Sequence, residues 1–175
     1  MWDHDDTAAD AAADTATDQA TDHHAGGAGP SPTVRSAAPA DHAAILALWD
    51  AAGMLDYVAE PEADLQRTAE ADPGLVLVAE DRADHAAHGG VVGTVMGTWD
   101  GRRGWVMRLA VDPAARRGGV GRALVAELED RLRLRGADRV NLLVFADNRG
   151  GLSFWQELGY RATAPVVLMT RRLDG

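Results

Sequence analysis

The sequence contains no cysteine and no lysine, and each absence excludes a class of chemistry. Without cysteine, the chain holds no disulfide framework, no thiolate nucleophile and no cysteine-ligated zinc ion. Without lysine, it cannot carry a Walker phosphate-binding loop, which ends in Gly-Lys-Ser/Thr. It also lacks an uninterrupted run of about 18 apolar residues, so no transmembrane helix is predicted.

The charge balance excludes further classes of partner. The 17 basic residues, all arginine, are outnumbered by 27 acidic ones, and the net charge is −10. Because nucleic acids and anionic lipid surfaces attract basic proteins, we expect no nucleic-acid partner and no membrane partner. The histidine pairs at 23–24 and at 85 and 88 lack further ligands at metal-binding spacing, so no metal is predicted.

The first 32 residues differ in composition from the rest of the chain. They hold seven aspartates and no arginine, and no large apolar residue stands between Trp2 and Val34. Five of the aspartates recur every four residues from Asp6 to Asp22, which would stack like charges along one side of a helix. The sequence therefore predicts a disordered acidic tail over 1–32 and one folded domain over 33–175.

Hydrophobic periodicity and turn residues divide the domain into alternating elements. The predicted strands are 34–37, 75–79, 91–99, 105–111, 140–145 and 166–170. The first predicted helix has Asp41 as its N-cap and ends at Gly53, and two others cover 61–71 and 148–158. A further helix follows the glycine-rich turn, with an inner face of Val120, Leu124, Leu128 and Leu132 and with Gly136 as its C′ residue. This order predicts an α/β domain in which a mixed sheet carries helices on both faces.

A glycine-rich turn lies between the fourth predicted strand and the third predicted helix. Residues 116–121 read Arg-Arg-Gly-Gly-Val-Gly. A helix start offers unpaired N–H groups and a partial positive charge, and glycine lets an anion approach the backbone closely. The turn therefore predicts a pyrophosphate cradle. A Rossmann fingerprint is excluded, because its third glycine falls on Leu124.

Two segments carry a resemblance to a known family. The run Leu-Ala-Val-Asp-Pro at 109–113, followed by Arg116-x-x-Gly119-x-Gly121, resembles motif A of the GNAT N-acetyltransferases. Residues 148–160 resemble that family's second signature, N-x-x-A-x-x-F-Y-x-x-x-G-F, and 93–105 look like one small bacterial type. The resemblance covers about 34–173. It implies a mostly antiparallel sheet of six to seven strands, splayed between strands 4 and 5.

The resemblance also implies a cofactor site for acetyl-CoA as cosubstrate. Backbone groups of Leu109, Ala110 and Val111 would pair with the pantetheine arm. Asn148 matches the family asparagine near that arm, and it is also a candidate helix N-cap. The residues implied to hold the pyrophosphate are Arg116, Arg117, Gly118, Gly119, Val120, Gly121 and Arg122.

The chain departs from the family pattern at its acid and base positions. The tyrosine that often protonates the leaving thiolate is replaced by Trp155, whose indole is a donor only. Met107 and Arg108 stand where many members have a carboxylate, and Leu143 stands where some have a glutamate. The candidate catalytic residues are therefore Asn148, Trp155 and, more weakly, Glu80.

The resemblance implies an acetyl-CoA-dependent N-acetyltransferase, and because no secretion or membrane signal is found we expect it in the cytoplasm. It would acetylate a primary amine of a small molecule or peptide by direct attack in a ternary complex. Asp56 and Tyr57 lie in the loop that often forms the acceptor wall in this family. The alternative is a catalytically weak acyl-CoA-binding module, a sensor or partner subunit, and unpaired edges near the last strands leave room for a homodimer.

Overall fold

A computed structural model describes residues 32–57, 59–80, 90–163 and 167–171. The predicted acidic tail, apart from Pro32, and all four paired histidines lie outside the described residues. The helices are α1 (His42–Ala51), α2 (Pro61–Ala71), α3 (Val120–Leu134) and α4 (Arg149–Glu157). The strands are β1 (Thr33–Ser36), β2 (Val76–Glu80), β3 (Val91–Trp99), β4 (Gly104–Val111) and β5 (Val140–Leu142).

The strands form one mixed sheet in the order β1-β2-β3-β4-β5. The first four strands are antiparallel neighbours, and β5 is parallel to β4. The mixed, mostly antiparallel α/β architecture is therefore confirmed. The described chain forms five strands rather than six or seven, because 167–170 have no regular structure and β5 ends at Leu142. Val167 and Met169 are more than four-fifths exposed, so neither side chain is held in the core.

Helix α3 covers one face of the sheet through leucines spaced four residues apart. Leu124, Leu128 and Leu132 are fully buried. Three sheet glycines allow this close approach: a methyl group at Gly97 would lie 2.7 Å from Cδ1 of Leu128, and one at Gly104 would lie 2.6 Å from Cδ1 of Leu132. The third glycine is Gly93, which meets Val120 and Leu124 in the same way. Because these three positions are glycine, α3 can pack close to the sheet.

Helices α1 and α2 cover the opposite face, so the prediction of helices on both faces is confirmed. Ile45, Leu48 and Trp49 of α1 and Leu65 of α2 form a buried cluster with apolar side chains of the sheet, including Met96. The two clusters, one on each face, bury the middle of the sheet from both sides. Strand β5, at the edge of the sheet, has three residues, all of them partly exposed.

Arg35 of β1 ties the first strand to α1 and β2. Its two terminal nitrogens lie 2.6 and 2.9 Å from the carboxylate oxygens of Asp41, and Nη2 lies 2.5 Å from Oε1 of Glu80. Asp41 precedes α1 as predicted, but its carboxylate does not cap that helix. It accepts from the backbone N–H of Ala38 instead. The hydrogen bond from Arg35 holds the pKa of Asp41 below its usual range.

Arg35→Met is expected to destabilise the protein by about 1 kcal/mol at pH 7, because the mostly buried Asp41 carboxylate loses its cation. A carboxyl whose pKa is lowered by folding adds stability above its unfolded pKa, and that stability is lost as the pH falls through the folded pKa. The difference from wild type should therefore shrink below about pH 4. Urea unfolding at pH 7 and at pH 3 measures both values.

The matched control is Arg67→Met. Arg67 is 62% exposed and lies 3.6 Å from Glu60 and 3.9 Å from Asp64, so its removal should change the stability little. An equal loss for Arg35→Met at both pH values would contradict the assignment, since a carboxyl whose pKa is lowered by folding contributes less stability once the unfolded chain is protonated there.

Candidate active site

Strands β4 and β5 separate partway along β4. Their parallel pairing joins Gly104 to Val140 and ends where Val106 meets Leu142. Strand β4 continues to Val111, but no strand in the described part of the chain lies beside this second half on the β5 side. The outer edge of β4 thus has backbone groups that an extended ligand can reach.

A β-bulge marks the point of separation. On β3, the neighbours Met96 and Gly97 face Arg108 and Val106 of β4, so Met107 is the extra residue. Its side chain is half exposed. A bulge bends its strand and re-aims side chains, so β4 changes direction at the residue where its pairing with β5 has just ended.

The turn after β4 leads the chain into α3 with an exposed backbone. The carboxylate of Asp112 accepts from the N–H of Ala114, and Nε of Arg116 lies 3.4 Å from the carbonyl oxygen of Val111. Arg117 and Gly119 both have left-handed backbones, with φ of 64° and 80°. The glycine is the N-cap of α3, and no side chain caps the helix there. The first N–H groups of α3 are therefore available to an anion.

Gly119 and Gly121 have different surroundings in this turn. A methyl group at Gly119 would meet no atom within 4 Å, whereas one at Gly121 would lie 3.3 Å from Cζ of Phe154 and 3.7 Å from Cγ2 of Val111. Gly121 is therefore where the end of β4, the start of α3 and α4 meet. Gly119 faces open space, which an approaching anion would need.

Asn148 and Trp155 lie on α4, at its start and in its second half. Asn148 is the N-cap, and its Oδ1 accepts from the N–H of Gly151 at 2.8 Å. This bond leaves its exposed amide nitrogen unused by the cap. The ring of Trp155 packs edge-on against Phe154 and Tyr160, with centroids 5.1 Å away in each case, and against the α3 side of the core.

Tyr160 makes a hydrogen bond to Glu129 that the sequence did not predict. Its hydroxyl donates to Oε1 of Glu129 on α3 at 2.6 Å. Burial, with the added effect of this hydrogen bond, raises the pKa of Tyr160 above its usual range. The phenol therefore keeps its proton at neutral pH and links the end of α4 to α3.

The structure does not bring Glu80 to the point where β4 and β5 separate. Glu80 ends β2, and β3 stands between that strand and β4. Its carboxylate accepts two hydrogen bonds from Arg35, at 2.5 and 2.8 Å. Asp56 is exposed in a short turn after α1, and the side chain of Tyr57 lies outside the described residues.

Arg108 is the charged side chain closest in sequence to the bulge, and it is 14% exposed. Its Nη1 lies 2.7 Å from Oδ2 of Asp64 on α2, and its guanidinium lies 4.6 Å from the ring centroid of Trp49. This cation–π contact and ion pair fasten α1 and α2 to β4. No sequence signal joined these three residues, because 15 to 59 positions separate them along the chain.

The comparisons with known proteins identify the class to which this fold and site belong. The model of the acetyltransferase (GNAT) family matches residues 43–160. The chain belongs to the GNAT acetyltransferase family, and the resemblance of the two motifs is confirmed.

Among the described residues no helix is long and apolar enough to cross a membrane, and no group of three potential metal ligands occurs.

Particular relatives extend the match over most of the chain. It is 37% identical to "Acetyltransferase SG1711" of Sodalis glossinidius over 133 residues, which is 76% of this chain and 89% of that protein. It is 34% identical to "Acetyltransferase ECA0875" of Pectobacterium atrosepticum over 134 residues, covering 77% and 91% of the two chains. Named acetyltransferases thus align with about three quarters of this chain.

Solved structures with lower identity share the fold. Ard1 from Thermoplasma volcanium superposes with a TM-score of 0.66 at 24% identity, over 77% of this chain and 85% of that one. The ribosomal-protein-S18-alanine N-acetyltransferase of Escherichia coli superposes with a TM-score of 0.58 at 24% identity, over 75% and 79%. A NatC complex bound to Gag peptide and CoA gives 0.62 at 20% identity, over 73% and 82%.

Proposed function

We propose that this acetyltransferase transfers the acetyl group of acetyl-CoA to a primary amine by direct attack in a ternary complex. The observation that carries the proposal is the placement of two open backbone surfaces at one end of the sheet. The outer edge of β4 beyond Val106 is unpaired by β5, and the uncapped start of α3 follows at Val120. The first surface suits an extended amide chain, and the second suits a pyrophosphate.

The residues present fit such a donor. Leu109, Ala110 and Val111 would hydrogen-bond the pantetheine arm through their backbone. The turn from Arg116 to Arg122 would hold the pyrophosphate, and Gly119 leaves it room. The free amide nitrogen of Asn148 would donate to the arm while its oxygen caps α4. Bound there, acetyl-CoA supplies a thioester whose thiolate is a fair leaving group, since a thiol has a pKa of about 8.5.

The side chains near β4 supply positioning rather than proton transfer. Trp155 cannot act as an acid, because an indole N–H is a donor only. Arg108 is already paired with Asp64, and Glu80 with Arg35. Holding the amine in line with the thioester is worth up to about 7–11 kcal/mol in model reactions. Backbone N–H groups of β4 would stabilise the developing oxyanion. Because the proposal assigns no side chain as the base, the amine must arrive unprotonated or lose its proton to water.

The test is acetyl transfer by the full chain to a panel of primary amines. The reaction is measured by the release of the free thiol of CoA and by mass spectrometry of the acetylated product. We expect kcat/KM to rise with pH towards the pKa of each amine, about 7.7–8.0 for a peptide N-terminus and about 10.4 for a lysine side chain. The pH profile should follow the amine and not the enzyme, because the proposal contains no enzymic base.

Glu80→Gln is the control for this profile, and it should leave the profile unchanged. Incubation with acetyl-CoA alone should leave the mass of the protein unaltered, because direct attack forms no acetyl-enzyme. An acetylated protein, or a limb of the pH profile that disappears in Glu80→Gln, would contradict the mechanism. Tight acetyl-CoA binding without transfer to any amine would instead favour the binding-module alternative.

The proposal also places the protein in the cytoplasm, because a reaction that consumes acetyl-CoA requires a compartment that supplies it.

A further inference from the structure

A cavity of about 350 Å³ opens where β4 and β5 separate. Trp105 and Met107 of β4 line it together with Leu143, which follows β5 directly, and with Thr98 of β3. Thr98 and Trp105 are cross-strand partners, so their side chains share one face of the sheet. Met96 and Arg108, further along the same two strands, face α1 and α2. The cavity is therefore on the α1/α2 face, beside the bulge.

Asp100 stands at the rim of this cavity and organises the turn between β3 and β4. Its Oδ1 accepts from the backbone N–H groups of Arg102 and Arg103 at 2.9 and 2.7 Å. Its Oδ2 accepts from the indole N–H of Trp105 at 3.2 Å. One carboxylate thus fixes both the turn and the orientation of the tryptophan. The backbone hydrogen bonds from Arg103 and Arg102, with the one from Trp105, lower the pKa of Asp100, so it is charged at neutral pH.

We infer that this cavity receives the acceptor and selects a primary amine that carries one apolar or aromatic side group. The inference rests on the proposed function, because the cavity adjoins the β4 edge assigned to the donor. The indole of Trp105 and the side chains of Met107 and Leu143 form the apolar wall. The carboxylate of Asp100 attracts a cationic amine to the rim and repels an anionic one.

The size of the cavity supports a small acceptor group. Ligand pockets usually measure about 300–1,000 Å³, and this one is near the lower limit. An apolar pocket discriminates between side groups by about 10–200-fold per methylene-sized difference. The side group of the amine, rather than a long chain, should therefore decide the rate. Asp100 is a positioning residue: its hydrogen bond orients the indole of Trp105, and its charge attracts the amine to the rim.

The test compares three primary amines with the full chain: 2-phenylethylamine, ethanolamine and 3-aminopropionate. We expect 2-phenylethylamine to have the highest kcat/KM and 3-aminopropionate the lowest. Trp105→Ala should lower kcat/KM for 2-phenylethylamine about tenfold, mostly through KM, with little change for ethanolamine. The affinity for acetyl-CoA should not change, because Trp105 precedes the open edge of β4.

Trp99→Ala is the matched control. Trp99 is on the same hairpin and 40% exposed, but it pairs with Gly104, whose position faces α3 rather than the cavity. The Trp99→Ala variant should therefore show the same preference among the three amines as the wild type. If Trp105→Ala does not fold, Met107→Glu places a charge in the cavity from a half-exposed position and should reduce the 2-phenylethylamine rate by at least about tenfold.

A second readout does not need turnover. In a nitrogen–proton NMR spectrum, 2-phenylethylamine should shift the indole N–H signal of Trp105 and leave that of Trp99 in place; Trp105→Phe assigns the signal. No shift, or an amine preference unaltered by both Trp105→Ala and Met107→Glu, would overturn the inference. A shift without turnover would support the pocket and count against the proposed acetyl transfer, so the two failures are distinguishable.

Discussion

Gly119→Glu is expected to weaken acetyl-CoA binding by at least about 100-fold, which corresponds to about 2.7 kcal/mol. The substitution puts a carboxylate at the start of α3, where the proposal places a pyrophosphate. No atom lies within 4 Å of a Cβ at this position, so the new side chain enters the space in front of the helix rather than the core. The helix dipole would then attract the protein's own carboxylate in place of the ligand. Calorimetric titration of the full chain measures the loss.

Gly119→Gln is the matched variant. Gly119 has a φ of +80°, so either side chain incurs the same backbone strain of about 1–2 kcal/mol. The two variants should therefore lose a similar amount of stability, with glutamate at most about 1 kcal/mol the more stable because the helix dipole favours its charge. Glutamine should reduce the affinity by about tenfold or less through its bulk alone. Equal affinity in wild type and both variants would show that the pyrophosphate binds elsewhere. Gly121→Glu is a poorer probe, because its Cβ would press on Phe154 and disturb α4.

The difference between these two glycines shows what the sequence could supply and what it could not. A strand, a glycine turn and an amphipathic helix are local patterns, and they predicted this order of elements, which the structure has. The motif marks Gly119 and Gly121 but does not say which of them faces open space. Only the packing of α4 against the end of β4 separates an open position from a contact position. Local patterns carry no information about that packing.

The same reason explains the predictions that differ from the structure. Residues 140–145 and 166–170 have strand-like composition, but a strand also needs a partner for its hydrogen bonds, and pairing ends at Leu142. Asp41 was identified as an N-cap from its place before a helix. Its carboxylate instead bonds Arg35, six residues back along the chain, and the antiparallel pairing of β1 with β2 brings the distant Glu80 within reach of the same arginine. Charge pairs between distant segments follow from sheet register, which composition does not encode.

Gly97→Ala is expected to destabilise the protein by about 2 kcal/mol, since adding a methyl group to a well-packed core typically costs about 1–3 kcal/mol. The new Cβ would lie 2.7 Å from Cδ1 of Leu128 and 3.1 Å from the carbonyl oxygen of Trp105. Leu128 is fully buried, so its side chain has little room to move, and the carbonyl belongs to the neighbouring strand. Urea unfolding measures the loss. Gly150→Ala, on α4 with its nearest atom 4.0 Å away, is the control and should not destabilise.

A double-mutant cycle with Leu128→Ala separates the two contacts. Truncating Leu128 costs about 2–5 kcal/mol by itself because it leaves a cavity. In that background, Gly97→Ala should cost less than it does in wild type, because its methyl group then occupies part of that cavity. An unchanged cost would mean that the carbonyl of Trp105, not α3, rejects the side chain. If the helix is lifted, acetyl-CoA affinity should also fall in Gly97→Ala, because the start of α3 moves with the helix away from the end of β4.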